Sequence, residues 1–326
     1  MTSSEVVAGS SAGATMETKL INDTKRPSPW RHLVAGGLGG MTGAIITSPF
    51  DVVKTRLQSD IYHKSIAAKH NQSNIKGLRG TLYHFVETVH MMRDIYVKES
   101  PRALFRGLCP TLFGVIPARS INFFTYGNLK SIIAGKSRED WSTHLLAAAC
   151  AGIVTATATN PIWVIKTRLQ LSPELSVSSK SAKVSASRKV IGDLIKNEGI
   201  RGLYRGLSAS YLGVTESTLQ WILYEQLKDF TKDSKLSSMS TMVSAGLAKS
   251  TATVITYPHE VIRTRMRQAV PVGEKPRYTS LIHTLKLVLA EEGVSALYGG
   301  LSAHLMRVVP NAAAMFLIYE FVTYRL

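Results

Sequence analysis

Cysteine is nearly absent: Cys109 and Cys150 are the only two in 326 residues. They exclude a disulfide framework, fit no metal-ligand spacing, and read as small packing hydrophobes. Acidic residues are also scarce. Against 39 Lys and Arg stand 22 Asp and Glu, a net charge of +17, which points to an anionic partner: nucleic acid, an acidic lipid surface or an anionic small molecule. The N-terminus lacks an apolar core for a secretory signal, and Glu5, Glu17 and Asp23 spoil an Arg-rich transit peptide. Any organellar address is therefore expected to be internal. Residues 1–28, rich in Ser, Thr, Ala and Gly, read as a disordered tail. No 20-residue stretch is purely aliphatic and mean hydropathy is only +0.06, so hydropathy by itself argues weakly for a membrane.

What is present is a repeat. Pro49-Phe50-Asp51-Val52-Val53-Lys54-Thr55-Arg56-Leu57-Gln58 returns as Pro161-Ile162-Trp163-Val164-Ile165-Lys166-Thr167-Arg168-Leu169-Gln170, and again as Pro258-His259-Glu260-Val261-Ile262-Arg263-Thr264-Arg265-Met266-Arg267. The prolines lie 112 and 97 residues apart, so the chain divides into three units of similar size, and the repeat governs the architecture. Residues 33–50, 108–129, 145–165, 207–223, 238–257 and 301–321 are nearly uncharged and rich in small residues. Each approaches the roughly 20 residues that span hydrocarbon. Gly36 with Gly40, and Gly39 with Gly43, have the four-residue spacing that lets helices approach closely in lipid. Six spans, two per repeat, follow. The loops inside the repeats are long and basic, with Lys64, Lys69, Lys76, Arg79, Arg93 and Lys98 in the first and Lys180, Lys183, Arg188, Lys189, Lys196 and Arg201 in the second. The links near 135–141 and 232–236 are short, so the basic loops share one membrane side. Amphipathic pieces at 190–196 and 281–290 are expected along the membrane surface.

Each signature proline is expected to close and bend an odd-numbered helix. Asp51 and Lys54 are three apart and occupy neighbouring helical faces, so an acid of one repeat can meet a base of the next. Three-fold symmetry predicts Asp51 with Lys166, Glu260 with Lys54, and Trp163 with Arg263, the last as a cation–π contact. A second charge set closes the even helices. Tyr224-Glu225-Gln226-Leu227-Lys228 is complete, Tyr319-Glu320-Phe321-Val322-Thr323 lacks the base, and Tyr126-Gly127-Asn128-Leu129-Lys130 lacks the acid. Two unequal gates on opposite faces suggest alternating access. Between them, Lys249 stands 11 residues before Glu260, three helical turns, and a lysine inside an apolar span is a functional candidate. Lys130, Tyr126, Asn122 and Arg119 form one stripe; Tyr319, Met315, Asn311 and Arg307 form another, passing Pro310; Tyr224, Gln220 and then Glu216 or Ser217 form a third.

The thrice-repeated Pro-x-Asp/Glu-x-x-Lys/Arg pattern resembles the mitochondrial carrier family over residues 30–326. So do the glycine elements Phe105-Arg106-Gly107, Tyr204-Arg205-Gly206 and Tyr298-Gly299-Gly300. The resemblance implies an all-α, multi-pass inner-membrane protein of the mitochondrion. Six transmembrane helices would form a three-fold pseudosymmetric barrel with short matrix surface helices, in repeats over 29–136, 137–234 and 235–326. It makes the signature network the matrix gate and the second set the cytoplasmic gate. Gln58 and Gln170 match the family's glutamine brace; Arg267 occupies the third brace position, with Gln268 one residue later. Trp163 resembles the branch that carries pyrimidine nucleotides, NAD, flavin or folate. The Gly114-Val115-Ile116-Pro117-Ala118-Arg119 core is similar to the pyrimidine type, since NAD and folate types usually have tryptophan where Arg119 stands.

Family substrate contacts map to Gly114, Ala118, Arg119 and Asn122, to Gly213, Val214 and Ser217, and to Arg307 and Asn311. Arg307, Arg119 and Lys249 are assigned to phosphates, and Asn122, Gln220 and Glu216 to the base. Glu216 has an equal alternative as an ion-pair partner of Lys249 or Arg119 in the empty cavity. Tyr126, Tyr224 and Tyr319 read as gate braces in preference to stacking platforms. The expected function is exchange of pyrimidine nucleotides such as UTP, CTP or TTP, with an NAD, flavin or folate carrier as the alternative. Nucleotide substrates and anionic inner-membrane lipids such as cardiolipin are the expected partners. A functional monomer is expected, with no cofactor, metal or nucleic acid, and no enzymatic step. A soluble nucleic-acid binder would need stacking aromatics among its bases, and a scaffold that had lost transport would show eroded gates.

Overall fold

Long apolar stretches separated by basic loops fold here into a ring of helices, in a computed structural model that describes residues 29–60, 78–134, 141–172, 182–230, 237–271 and 273–325. The expected tail over 1–28, the bases Lys64, Lys69, Lys76 and Lys180, and most of both short links lie outside the described residues. Among the described residues every regular element is helical. In chain order they are α1 (Pro29–Gln58), α2 (Leu78–Lys98), α3 (Leu108–Ala134), α4 (Trp141–Leu171), α5 (Ala182–Gly202), α6 (Leu207–Phe230), α7 (Ser237–Thr256), α8 (Pro258–Arg267), α9 (Leu281–Glu291) and α10 (Leu301–Arg325). Short 3-10 turns at Pro101–Phe105 and Val294–Tyr298 lead into α3 and α10.

The long helices α1, α3, α4, α6, α7 and α10 close on one another in sequence order, and α10 returns to α1. The tightest neighbours are α1 with α10, α3 with α4, and α6 with α7, each pair joining two different repeats. Small residues permit this approach. Ala147, Ala151, Ala248 and Ala252 are fully buried, and a Cβ on Gly43 would stand 2.4 Å from Asn311 Oδ1. Only α4, over Thr143–Leu171, is long and apolar enough by composition alone to cross a membrane among the described helices.

The prolines behave differently from the expectation that each closes the first long helix of its repeat. Pro49 and Pro161 sit inside continuous helices that run on to Gln58 and Leu171. Only in the third repeat is there a break, at Tyr257, between α7 and α8. An interior proline forfeits one backbone hydrogen bond, but the residues beyond it are firmly packed. Beyond Pro49, Val52, Val53 and Leu57 are buried with Ile95, Leu104 and Ala303; beyond Pro161, Val164, Leu169 and Leu171 are buried. That burial holds the helical continuation in place.

The second long helix of each repeat, α3, α6 and α10, begins against a signature segment. Gly107, Gly206 and Gly300 all have left-handed φ, between 73° and 77°. At Gly300 a Cβ would stand 2.8 Å from the Lys54 carbonyl oxygen, so glycine is needed for both conformation and proximity. The amphipathic pieces expected at 190–196 and 281–290 lie in α5 and α9, and α2 is their first-repeat counterpart.

Candidate functional site

The ring surrounds a cavity of about 920 Å³ lined by every long helix and by α8. Its floor is the signature network. Lys166 Nζ lies 3.1 Å from Asp51 Oδ2, and Lys54 Nζ lies 2.8 Å from Glu260 Oε2. These are two of the three pairs anticipated from pseudosymmetry. Removing the charges from water is costly, so pairing across helices is what makes their burial tolerable. Lys54 also sits 6.0 Å from the centroid of the Tyr257 ring.

The third expected pair does not form. Trp163 Nε1 donates to Thr159 Oγ1 at 2.9 Å on its own helix, and its ring faces Lys166 Nζ at 5.5 Å. Arg263 instead donates to Glu260, three residues before it. The physical reason is competition: a carboxylate one turn away offers a full charge, whereas an indole face offers a quadrupole. Asp51 likewise gains a second partner that sequence spacing did not suggest, Arg307 Nη1 at 2.6 Å.

The two glutamines bond between signature segments. Gln58 donates to Tyr257 Oη at 3.0 Å and accepts from Thr264 Oγ1 at 2.7 Å, while Gln170 accepts from Thr55 Oγ1 at 2.8 Å. Arg267, in the third position, donates to Asn160 Oδ1 at 2.7 Å and Ser210 Oγ at 2.9 Å. It ties α8 to α4 and α6, which a glutamine two atoms shorter would have to do differently.

Beneath this layer lies a second ring that sequence reasoning missed. Arg56, Arg168 and Arg265, two residues after each signature base, donate Nε to backbone carbonyls of a neighbouring signature: those of Gln170, Arg267 and Gln58, at 3.2, 3.2 and 3.0 Å. Their remaining guanidinium nitrogens reach Glu99, Glu198 and Glu292. The recurrence of Arg at the same offset in all three signatures was the available signal. Glu198 shows the electrostatics. Burial pushes its carboxyl up, but hydrogen bonds and charge from Arg168 and Arg205 outweigh that and hold it below the usual carboxylate range.

Higher in the cavity, the structure places Ala118, Arg119, Asn122 and Tyr126 of α3, Gly213, Val214, Glu216 and Ser217 of α6, Lys249 of α7, and Arg307 and Asn311 of α10 along the lining. Gly114 and Gln220 are not among the lining residues. A Cβ on Gly114 would stand 3.0 Å from Ile162 Cγ2 and 3.5 Å from the Trp163 ring, so this glycine accommodates α4. Glu216 is paired: Lys249 Nζ is 2.6 Å away and Thr253 Oγ1 donates at 3.0 Å. Of the two ion-pair partners expected for Glu216 in the empty cavity, Lys249 and Arg119, it is Lys249 that meets it. Arg119 is exposed to the cavity and has no ion-pair partner among the described residues.

No metal site was anticipated, yet Glu216, His259 and Glu260 bring ligand-type atoms within 4.8 Å of one another. Both carboxylates are already engaged, by Lys249 and by Lys54 and Arg263. At the opposite end, Tyr126 Oη meets His144 Nδ1 at 2.7 Å. Lys130 and Tyr224 do not line the cavity. The side chains of Glu225, Lys228, Tyr319 and Glu320, assigned to the cytoplasmic gate, lie outside the described residues.

A family model described as mitochondrial carrier protein matches residues 25–137, 137–235 and 234–326. The chain belongs to the mitochondrial carrier family. The carrier is 48% identical over 92% of its length to mitochondrial carrier protein rim2 of Schizosaccharomyces pombe, covering 90% of that protein. It is 47% identical over 90% of its length to the mitochondrial pyrimidine nucleotide transporter RIM2 of Saccharomyces cerevisiae, covering 85% of it. Its identity to mouse solute carrier family 25 member 36 is 40%, over 90% of the carrier and 97% of that protein. Membership makes it a multi-pass protein of the mitochondrial inner membrane.

Proposed function

We propose that this carrier exchanges pyrimidine nucleotides across the mitochondrial inner membrane by alternating access to one central site. The observation that carries the reading is a cation-rich cavity of about 920 Å³ in a chain 47% identical to a named pyrimidine nucleotide transporter. That volume falls in the range of roughly 300–1,000 Å³ typical of small-molecule sites. In this reading the six long helices are the six spans, and the repeats run over 29–136, 137–234 and 235–326. The signature network is the closed matrix gate, and the Tyr-Glu-x-x-Lys set, with Lys130, Tyr126, Tyr224, Glu225, Lys228, Tyr319 and Glu320, is the open cytoplasmic gate. Anionic lipids such as cardiolipin surround a monomer. The step is one of binding and release, with no covalent chemistry.

The mechanism follows from where charge sits. Arg119 offers the cavity a guanidinium with no carboxylate among the described residues, and Arg307 bridges the cavity and Asp51. Phosphate oxygens accept bidentate bonds from arginine, so an arriving phosphate competes with Asp51 for Arg307. Weakening that contact lowers the cost of separating Asp51 from Lys166. The substrate can shift the gate only by the difference in its affinity for the two states. Lys249, paired with Glu216 in the empty cavity, becomes available to phosphate when a base engages Glu216, and Asn122, Ser217 and Asn311 line the same cavity from α3, α6 and α10.

Purified carrier in liposomes preloaded with unlabelled nucleotide tests this directly. Uptake of labelled UTP, CTP or TTP that requires internal pyrimidine nucleotide is the expected result. Uptake of NAD, flavin or folate that UTP and CTP do not inhibit would refute it.

A further inference from the structure

Trp163 leaves the cavity floor with two carboxylates serving four cations. Asp51 holds Lys166 at 3.1 Å and Arg307 at 2.6 Å; Glu260 holds Lys54 at 2.8 Å and also Arg263. Arg263 is the one of the four whose carboxylate lies on its own helix rather than on a neighbour. Lys54 already shares that carboxylate. Its side chain keeps 26% of its exposure and lines the cavity. Gly213, across from it on α6, leaves the approach open, since even an added Cβ there would stand 4.0 Å from Arg263 Nη1. Trp163 cannot neutralise it, because the indole N–H is engaged by Thr159 and the ring by Lys166. Excess positive charge in a low-dielectric recess draws anionic groups toward it.

A triphosphate carries more charge than a monophosphate and reaches farther. Resting on the nucleotide reading above, we infer that Arg263 binds the terminal phosphates of a nucleoside di- or triphosphate, and that Trp163 is the residue that keeps it available. An acid at 163 would face Arg263 across the ring and claim it. The pair therefore sets selectivity for phosphate number, separately from the residues that hold the base.

The test compares UTP, UDP and UMP on the full chain in liposomes, through transport KM and through the thermal stabilisation each nucleotide confers in detergent. Arg263→Gln should weaken UTP about tenfold more than UMP, the size of one lost charge-assisted contact. Any change in the gate itself falls on UTP and UMP alike, so the UTP-to-UMP preference, not the UMP value, is what should drop about tenfold. Trp163→Asp, which keeps all four cations, should lower the UTP-to-UMP preference in the same direction, and the double variant should be no less selective than the single ones. Should Arg263→Gln fail to fold, the Trp163→Asp comparison decides alone. Equal weakening of UTP and UMP, or an unchanged preference in Trp163→Asp, would overturn the inference while leaving the nucleotide carrier reading intact. An unaltered protein that responds to none of the three nucleotides would overturn both.

Discussion

Replacing Asp51 by Asn removes one charge and leaves the shape almost unchanged, which makes it a clean probe of the signature network. Asp51 is 7% exposed and accepts from Lys166 at 3.1 Å and from Arg307 at 2.6 Å. Each charge-assisted bond contributes about 1.5–3 kcal/mol, and breaking a buried pair costs about 3–5 kcal/mol. Two features favour the lower end. Lys166 keeps the Trp163 face, and the Arg307 side chain, 33% exposed, can turn toward the cavity. A loss of about 3 kcal/mol in the network shifts a two-state equilibrium by roughly a hundredfold. The assay needs one reporter: Ala118→Cys, on the cavity wall, in a background with Cys109 and Cys150 replaced by Ser. In the parent, an impermeant maleimide should label this thiol from the cytoplasmic face. Asp51→Asn should admit label from the matrix face and lower the midpoint of thermal unfolding by several degrees. Unchanged sidedness together with unchanged stability would refute the reasoning that Asp51 organises the gate.

Arg307→Ala should abolish nucleotide exchange while leaving a folded protein with normal circular dichroism, because both Asp51 and the phosphate lose a partner; normal uptake would contradict its assignment. Trp163→Asp should slow exchange by adding the acid missing opposite Arg263, and an unchanged or faster rate in the liposome assay would contradict the ring geometry. Outweighing burial, hydrogen bonds and charge from Arg168 and Arg205 hold the Glu198 carboxyl below the usual glutamate range, about 4.3 in an unfolded chain. Its ion pairs thus contribute fully above that unfolded value, and that contribution is lost as pH falls through the folded value. Glu198→Gln should cost about 2–4 kcal/mol at neutral pH and flatten the acid side of a stability-versus-pH curve. A variant curve parallel to the parent's would count against the Arg168–Glu198–Arg205 cluster.

Much of the floor was legible because repetition makes spacing informative. Three copies of one segment, read with three-fold symmetry, anticipated the Asp51–Lys166 and Lys54–Glu260 contacts, whose partners lie 115 and 206 residues apart. Of the stripe expected on α3, Arg119, Asn122 and Tyr126 lie on the cavity wall and Lys130 does not. The arginine ring was harder to see. Glu99, Glu198 and Glu292 lie 43, 30 and 27 residues after their arginines, separations too irregular to read as a motif. The Nε bonds to carbonyls carry no side-chain signal at all. Gly114, placed among the substrate contacts by resemblance alone, lies off the cavity lining against Ile162 and Trp163, a packing that no sequence spacing signals.

The sequence by itself determined that three like units build one body, that its long helices are apolar with small residues at their contacts, and that acids and bases recur where those helices converge. These are one-dimensional properties of period, composition and sign. Tertiary structure decided which charges meet. Electrostatic partners are chosen by distance and competition, and a vacancy in the pattern is filled by whatever stands nearest. The missing acid at Trp163 sent Arg263 back to Glu260, and Asp51 accepted Arg307 from α10 beside Lys166. The repeat announces a ring of pairs; packing distributes the four cations over two carboxylates.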